Sequence, residues 1–421
     1  MVRAKHSTEY ITGLDIGSQA IRVAVGQVSA SASSGTREVQ IVGAVEVPSE
    51  GVQKGIVTSI EETVSAIANA LETAEKVSGI PIEHVWVGIS GTHIICQDSK
   101  GVVAVSRTDS EITEEDVHRA LEASKTVATP LNYEILHVLP RSFSVDGQTG
   151  IKDPVGMTGI RLEVDAKIIY GVTAHVKNIS KVIYRTGVDI DDFVLSVIAA
   201  GEVVLTSRQK ELGAVVVNIG NATTSLVVYE EGDIVHTAVL PVGSGHITND
   251  LALGLKTSID IAERVKVEYG QCSPQTITKK EMIDLSILGS RESEMVSRYY
   301  IGQIIEARVS EILEKVDAEL QKIHRSGLLP AGVYFVGGGA RLGGLTDLAK
   351  EQLQLPSALG YPLNITSITD KIQDVAFASV IGLVKWGASL ADTNTHAPTN
   401  FRVVSGKISA TVRSIFRSLI P

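Results

Sequence analysis

Gly13-Leu14-Asp15-Ile16-Gly17-Ser18-Gln19-Ala20-Ile21-Arg22-Val23-Ala24-Val25-Gly26 and, in the second half of the chain, Val215-Val216-Val217-Asn218-Ile219-Gly220-Asn221-Ala222-Thr223-Thr224-Ser225-Leu226-Val227-Val228 are versions of one another. Each reads as an apolar strand, a tight Asp/Asn-x-Gly turn with small polar residues, and a second apolar strand. A hairpin of that kind offers backbone N–H groups and hydroxyls to a phosphate chain, with a side-chain oxygen placed for a metal. Two of them, one per half, predict a duplicated nucleotide clamp with a cleft between the halves.

Composition agrees with this. At 421 residues the chain exceeds one ordinary core, so two or more domains are expected. With 44% hydrophobic and 20% charged residues it has the make-up of a soluble globular protein. A net charge of −10 argues against nucleic acid as a partner. Cys96 and Cys272 stand far apart, which excludes a disulfide framework or a thiolate zinc site and suits a reducing cytoplasm. No apolar run approaches the roughly 18 residues of a spanning helix. Met1-Val2-Arg3-Ala4-Lys5 leads into polar residues and not into the apolar core of a signal peptide, so an intracellular, soluble body is expected.

Past the first hairpin, the 3–4 spacing of Ile60, Val64, Ile67, Ala68 and Leu71 predicts an amphipathic helix. A new unit is expected from Val85, with strands at Val102–Val105, Tyr133–Leu139 and Ile160–Asp165. Thr113 is the expected N-cap of its helix, with acids in the first turn. The first domain then resumes as a buried strand at Ala166–Thr173, and Asp192–Ser207 reads as a linking helix. The expected division is 1–84 with 166–207 as domain 1, 85–165 as an inserted α+β subdomain, and 208–390 as domain 2. In domain 2 a helix is expected over Ser258–Tyr269 and a long one over Val296–Arg325. Strand Val333–Val336 then runs into Gly337-Gly338-Gly339, and helices start at Leu345 and Val375. Residues 391–406 lose periodicity and read as a flexible linker.

A glycine triplet directly after an apolar strand lets backbone pack against a flat ligand or phosphate. Alone it is an ordinary strand-to-helix turn; in order after two phosphate hairpins it completes a pattern. Glu263 and Lys266 sit three apart on one helix face, where they would hydrogen-bond a ribose, or else form a plain solvated ion pair. The nucleotide-binding set is Asp15, Gly17, Ser18, Gln19, Gly220, Asn221, Ala222, Thr223, Gly243, Glu263, Lys266, Gly337, Gly338 and Gly339.

These residues resemble the actin/Hsp70-like ATPases and, within them, the FtsA family of bacterial cell-division proteins. The resemblance covers nearly the whole chain. Ile135-Leu136-His137-Val138-Leu139-Pro140, Gly150-Ile151-Lys152-Asp153-Pro154-Val155-Gly156-Met157, Ala262-Glu263-Arg264-Val265-Lys266 and Pro362-Leu363-Asn364-Ile365-Thr366 are close to the family's wording. It implies an α/β, actin-like duplicated fold with an FtsA-type inserted subdomain and a C-terminal amphipathic helix on a flexible linker. Departures from the ATPase pattern stand at Asn218, where Asp is common, at Asn221-Ala222, where a Gly-Gly pair is common, at Ala20, often Lys, and at Ser196-Val197, often an acid before Pro. Asn218 cannot act as a base and holds metal-bound water less strongly than a carboxylate. The resemblance implies ATP with Mg²⁺, held through water by Asp15 and Asn218, and at most slow hydrolysis.

The tail is an independent signal. From Lys407 to Ile420, apolar residues fall at Ile408, Val412, Ile415, Phe416, Leu419 and Ile420, one stripe on a short helix. After Asp392 no acidic side chain occurs, while Arg402, Lys407, Arg413 and Arg417 are basic. A basic amphipathic helix on a tether reads as an anchor for an anionic membrane surface; a helix packed on its own domain is the plain alternative. The resemblance implies filament formation on the cytoplasmic face of the cell membrane at the division site. It also implies capture of the FtsZ C-terminal peptide by domain 2 near the long helix, with Arg298 and Arg308 pairing its acids. Other division proteins would meet the inserted subdomain. A pilus-assembly relative of the same fold, and a small-molecule kinase of the same superfold, remain as alternatives.

Overall fold

Two sheets that share a five-strand order, one of them with a sixth strand at its edge, organise the chain, as the repeat requires. A computed structural model describes residues 9–30, 37–105, 110–126, 130–290, 294–391 and 404–405. The first lobe contains strands β1 (Glu9–Ile16), β2 (Ala20–Ala30) and β3 (Arg37–Pro48), the small pair β4 (Val52–Gln53) and β5 (Ile56–Val57), helix α1 (Ile60–Ser78) and strand β6 (His84–Ile89). An insertion follows: β7 (Ile94–Ala104), α2 (Glu114–Lys125), β8 (Tyr133–Val145), β9 (Gln148–Ile151) and β10 (Arg161–Val172). The chain returns through α3 (Thr173–Tyr184), β11 (Asp189–Leu195) and α4 (Ser196–Val204).

The second lobe runs α5 (Ser207–Leu212), β12 (Ala214–Ile219), β13 (Thr224–Glu230), β14 (Asp233–Leu240), α6 (Ser244–Gly254) and α7 (Ile259–Tyr269). After β15 (Met282–Asp284) and β16 (Met295–Ser297) comes the long α8 (Arg298–Lys322), then β17 (Gly332–Val336), α9 (Leu345–Leu353), β18 (Ser357–Leu359) and β19 (Thr366–Ser367). Last come α10 (Ala378–Ala391) and β20 (Val404–Ser405).

The first sheet has the order β11-β6-β1-β2-β3-β19 and the second β14-β13-β12-β17-β18. In each, an antiparallel meander is extended by two parallel strands at the opening strand, β6 and β11 beside β1, β17 and β18 beside β12. The duplication seen in two hairpins therefore extends to whole lobes. Strand β12 shows why its run Ala214-Val215-Val216-Val217 is apolar without alternation. Val215 and Val217 face the core of the second lobe, while Ala214 and Val216 join the core of the first. Both faces are buried, so both are apolar.

Several boundaries differ from the sequence expectation. Strand β6, expected to open the inserted unit at Val85, lies inside the first sheet, parallel to β1. The strands expected separately at Ile160–Asp165 and Ala166–Thr173 are one, β10, paired with β7 and β8 in the inserted sheet. The insertion thus runs from β7 through β10, and its sheet closes its own small core around Val138, Leu162 and Val164. Asp192–Leu195 is strand and not helix, because Phe193, Val194 and Leu195 fill the parallel slot beside β6. Helix α10, expected in domain 2, packs in the first core: a Cβ on Gly382 would stand 2.0 Å from Ala199 O of α4. Covered on nearly every side, α10 sits between α4 and the back of β1.

The expected helix signals otherwise act locally. Asp116 accepts from the amide and hydroxyl of Thr113 at 2.9 and 2.7 Å at the start of α2. Ile305, Ile312, Leu313, Val316 and Leu320 form the buried stripe of α8. Among the described residues no helix is long and apolar enough to cross a membrane. The tail stripe Ile408–Ile420 lies outside the described residues, and the expected linker is described only at Ala391 and Val404–Ser405.

Candidate functional site: the cleft between the lobes

The two hairpin turns have one geometry. Gly17 donates its N–H to Ala20 O at 3.0 Å, and Gly220 donates to Thr223 O at 2.9 Å. Asp15 pairs in register with Arg22, and Asn218 with Ser225, so the two side chains hold equivalent places before the turns. Both turns line a cavity of about 100 Å³ together with Asp15, Asn218, Ser196, Gly337 and Gly338. The walls are thus backbone amides and small hydroxyls, as a phosphate chain requires.

Asp15 accepts a hydrogen bond from Ser196 Oγ at 2.8 Å. It keeps some solvent contact at the cleft, yet enough protein surrounds the carboxylate for burial to push its pKa upward. The Ser196 hydrogen bond and the Arg22 charge offset part of that. Asn218 Nδ2 donates to Ser379 Oγ of α10 at 3.2 Å. Ser196 thus stands where the ATPase pattern often has an acid, and it orients Asp15. Among the described residues no cluster of three or more His, Cys, Asp or Glu could hold a metal directly. An oxygen pair acting through water fits the donors present, Asp15 and Asn218.

The glycine triplet divides its work. Gly337 has φ +88°, and a Cβ there would meet Asn218 Oδ1 at 2.2 Å. A Cβ on Gly339 would meet Ile219 Cγ2 at 2.4 Å. Both are demanded by packing on the second hairpin. Gly338 faces open space and borders both the cavity between the turns and a second one of about 490 Å³. That second cavity is lined by Gln19, Glu263, Lys266, Gly339 and Arg341 and has room for a nucleoside.

Glu263 and Lys266 are not a solvated pair. Lys266 is buried, with Nζ 2.6 Å from Glu263 Oε2 and 2.8 Å from Thr248 Oγ1. Burial alone would raise the Glu263 pKa, but hydrogen bonds from Lys266 and Thr248 outweigh it and the net shift is downward. Gln19 Nε2 reaches Glu263 Oε1 at 3.4 Å, a contact between the first and second lobes. Gly243 lies behind the second turn and not at the cavity wall. Its neighbour Ser244 lines both cavities and donates its N–H to Gly220 O at 2.8 Å.

Three residues missed in the sequence also meet here. Arg22 follows the first turn and was legible from register; Arg341 follows the triplet; Ser379 arrives only through the packing of α10 and leaves no local signal. Arg298 and Arg308 lie on α8, away from the cleft. Arg298 Nη1 stands 2.7 Å from Glu281 Oε1, and Arg308 grips Asp250 with two contacts at 2.6 and 3.0 Å. Both already hold carboxylates, the chemistry expected of them toward an acidic peptide.

Comparison with known proteins agrees with this architecture. Residues 215–382 match the family described as "Cell division protein FtsA", and residues 91–170 match "SHS2 domain inserted in FTSA". The chain is 37% identical over 395 residues to the cell division protein FtsA of Neisseria meningitidis, covering 93% of each. It is 34% identical over 381 residues to that of Pseudomonas aeruginosa, covering 90% of each. Among solved structures, the PilM–PilN type IV pilus biogenesis complex aligns with a TM-score of 0.65 at 17% identity, over 90% of this chain and 98% of that one. MreB5 of Spiroplasma citri bound to ADP aligns with a TM-score of 0.55 at 12% identity, over 92% and 99%. These two likenesses concern the fold. With an actin-like pair of lobes, an inserted SHS2 domain and full-length relatives above 30% identity, the chain belongs to the FtsA family of cell-division proteins.

Proposed function

We propose that this protein binds ATP with Mg²⁺ in the cleft, assembles with its own kind on an anionic membrane surface, and tethers FtsZ there. The single observation behind nucleotide binding is the pair of equivalent turns meeting across a cavity that opens, past Gly338, into a nucleoside-sized space. The turn residues Ser18, Gln19, Asn221, Ala222 and Thr223 would hold phosphate oxygens. Glu263 and Lys266 would hold the ribose, and the flat surface of Gly338 would lie against the nucleoside. Asp15 and Asn218 would order the water shell of the metal. Bound Mg²⁺ would neutralise phosphate charge.

Hydrolysis is slow in this reading. The second turn carries a carboxamide, which takes up no proton, and Asp15 is tied to Ser196. Nucleotide then serves chiefly to set the relation of the two lobes, which touch directly through Gln19 and Glu263. Polymerisation couples to membrane attachment by avidity: one short basic helix binds reversibly, and several on a filament gain about 10²–10⁴-fold. Domain 2 near α8 would receive the FtsZ C-terminal peptide, with Arg298 and Arg308 exchanging internal carboxylates for those of the peptide. The inserted subdomain would meet the next subunit and other division proteins. The location is peripheral, on the cytoplasmic face of the membrane. Calorimetry with ATP and Mg²⁺, followed by single-turnover hydrolysis, tests the nucleotide reading. Saturable binding with a rate below about 1 s⁻¹ is expected; absence of binding, or turnover at ordinary enzyme rates, overturns it.

A further inference from the structure

One row of charged side chains crosses the first sheet beside the cleft. Asp15 stands opposite Arg22, and Arg22 opposite Glu46, so the three project from one face of β1, β2 and β3. Nε and Nη2 of Arg22 both stand 2.7 Å from a single oxygen, Oε2 of Glu46. Arg341 of the second lobe holds Asp374 through its Nε at 3.0 Å and brings Nη2 to 3.9 Å from that same Glu46 oxygen. Glu46 is therefore shared between a cation of each lobe, held closely by one and loosely by the other. Among the described residues lining the cavity between the turns, Arg22 is the one cation and Asp15 the one carboxylate. Arg22 also lines the larger cavity, together with Glu46 and Arg341.

Resting on the nucleotide reading above, we infer that Arg22 senses the phosphate chain and that Glu46 relays its arrival to the second lobe. A phosphate chain between the turns brings several negative charges to walls that carry one cation and one carboxylate. A guanidinium has five N–H donors in a planar fork, which suits two phosphate oxygens better than the single carboxylate oxygen it holds here. Phosphate and Glu46 thus compete for one cation. As Arg22 turns to the phosphate, Glu46 loses its close partner, and the cation waiting 3.9 Å away is Arg341. Closing that gap draws β3 of the first lobe toward the glycine-triplet turn of the second. A nucleoside without phosphate offers Arg22 no anion and leaves the row as it stands. The lobes then respond to phosphate charge and not merely to a filled cleft.

Calorimetry on the full chain with Mg²⁺, using ATP and adenosine as separate ligands, tests this. Arg22→Ala should weaken ATP binding roughly 10- to 150-fold and leave adenosine within about twofold. Arg22→Lys, which keeps the charge without the fork, should fall between parent and Arg22→Ala. Arg341→Ala strands Glu46 on Arg22 and should lower the ratio of ATP to adenosine affinity about two- to fivefold, whatever it does to adenosine itself. Adding Glu46→Gln to Arg341→Ala removes the competitor and should restore the ratio, a rescue that a merely structural ion pair does not give. Melts without ligand report that each variant is folded. A ratio unchanged by Arg22→Ala, or a double variant no better than Arg341→Ala alone, overturns the inference and leaves the nucleotide reading standing. Failure of the parent chain to bind ATP overturns both.

Discussion

Substituting alanine at Gly337 and, separately, at Gly338 tests the division of labour within the triplet. At Gly337 the backbone sits at φ +88°, and a new Cβ would stand 2.2 Å from Asn218 Oδ1 and 2.7 Å from Ile219 O. A left-handed non-glycine residue costs about 1–2 kcal/mol, and overpacking adds about 1–3 kcal/mol. A loss of about 2–5 kcal/mol should lower the unfolding midpoint of the second lobe by roughly 4 °C or more. At Gly338 the new methyl meets nothing within 4 Å and the backbone is unstrained. Stability should change by about 0.5 kcal/mol or less. The methyl does enter the space assigned to the nucleotide, where a clash of about 1–3 kcal/mol weakens binding roughly 5- to 150-fold. Thermal melts with and without ATP and Mg²⁺ separate the two effects. The parent chain should gain about 2.7 kcal/mol at a hundred times its Kd, whereas Gly338→Ala should gain far less at that concentration. A Gly338→Ala protein that binds ATP as well as its parent would refute the assignment of that space, and an unshifted Gly337→Ala melt would refute the packing argument.

Further outcomes follow from other groups. Burial holds His137 down to about 4 and, with a smaller effect from His175, does the same to His93. The unfolded chain therefore takes up these protons first. Their contribution to stability is complete above about pH 6.5 and is lost as pH falls toward 4, at most about 3 kcal/mol each. His93→Leu should flatten the fall of the melting midpoint across that window; an unchanged curve would discard His93 as a source. Asn218→Asp adds a carboxylate to the cavity that Asp15 also lines and should raise single-turnover hydrolysis by about tenfold, or 1.4 kcal/mol of barrier; an unchanged rate would mean that Asn218 is not what slows it. Arg308→Ala should weaken binding of an FtsZ C-terminal peptide by about 1.5–3 kcal/mol, roughly 10- to 150-fold by fluorescence anisotropy. Unaltered affinity would move the docking site elsewhere.

The hairpins were legible because an Asp/Asn-x-Gly turn between apolar runs fixes both strand and register within a dozen residues. Long helices such as α8 were legible from the spacing of Ile305, Ile312, Val316 and Leu320. Lobe membership was not, since it is decided by contacts distant in sequence. Strand β6 resembles any other apolar run until its neighbours β1 and β11 are known. Helix α10 shows no local preference for the first lobe; the close approach of Gly382 to Ala199 O decides it. At the site, backbone features were the most readable, because glycine and small residues announce close approach. Side chains delivered from afar were the least. Ser379 reaches Asn218 only when α10 is in place. The buried state of Lys266 was equally hidden, since an i,i+3 pair reads the same on a wet face as on a dry one.

Co-sedimentation with anionic vesicles, with and without ATP, most directly tests the claim that this protein is a nucleotide-governed membrane tether. The comparison is between the intact chain and one ending at Thr399. The intact chain should sediment with the vesicles, and more of it with ATP, while the shortened chain stays in solution. Equal sedimentation of both chains, or sedimentation indifferent to ATP, would contradict the account.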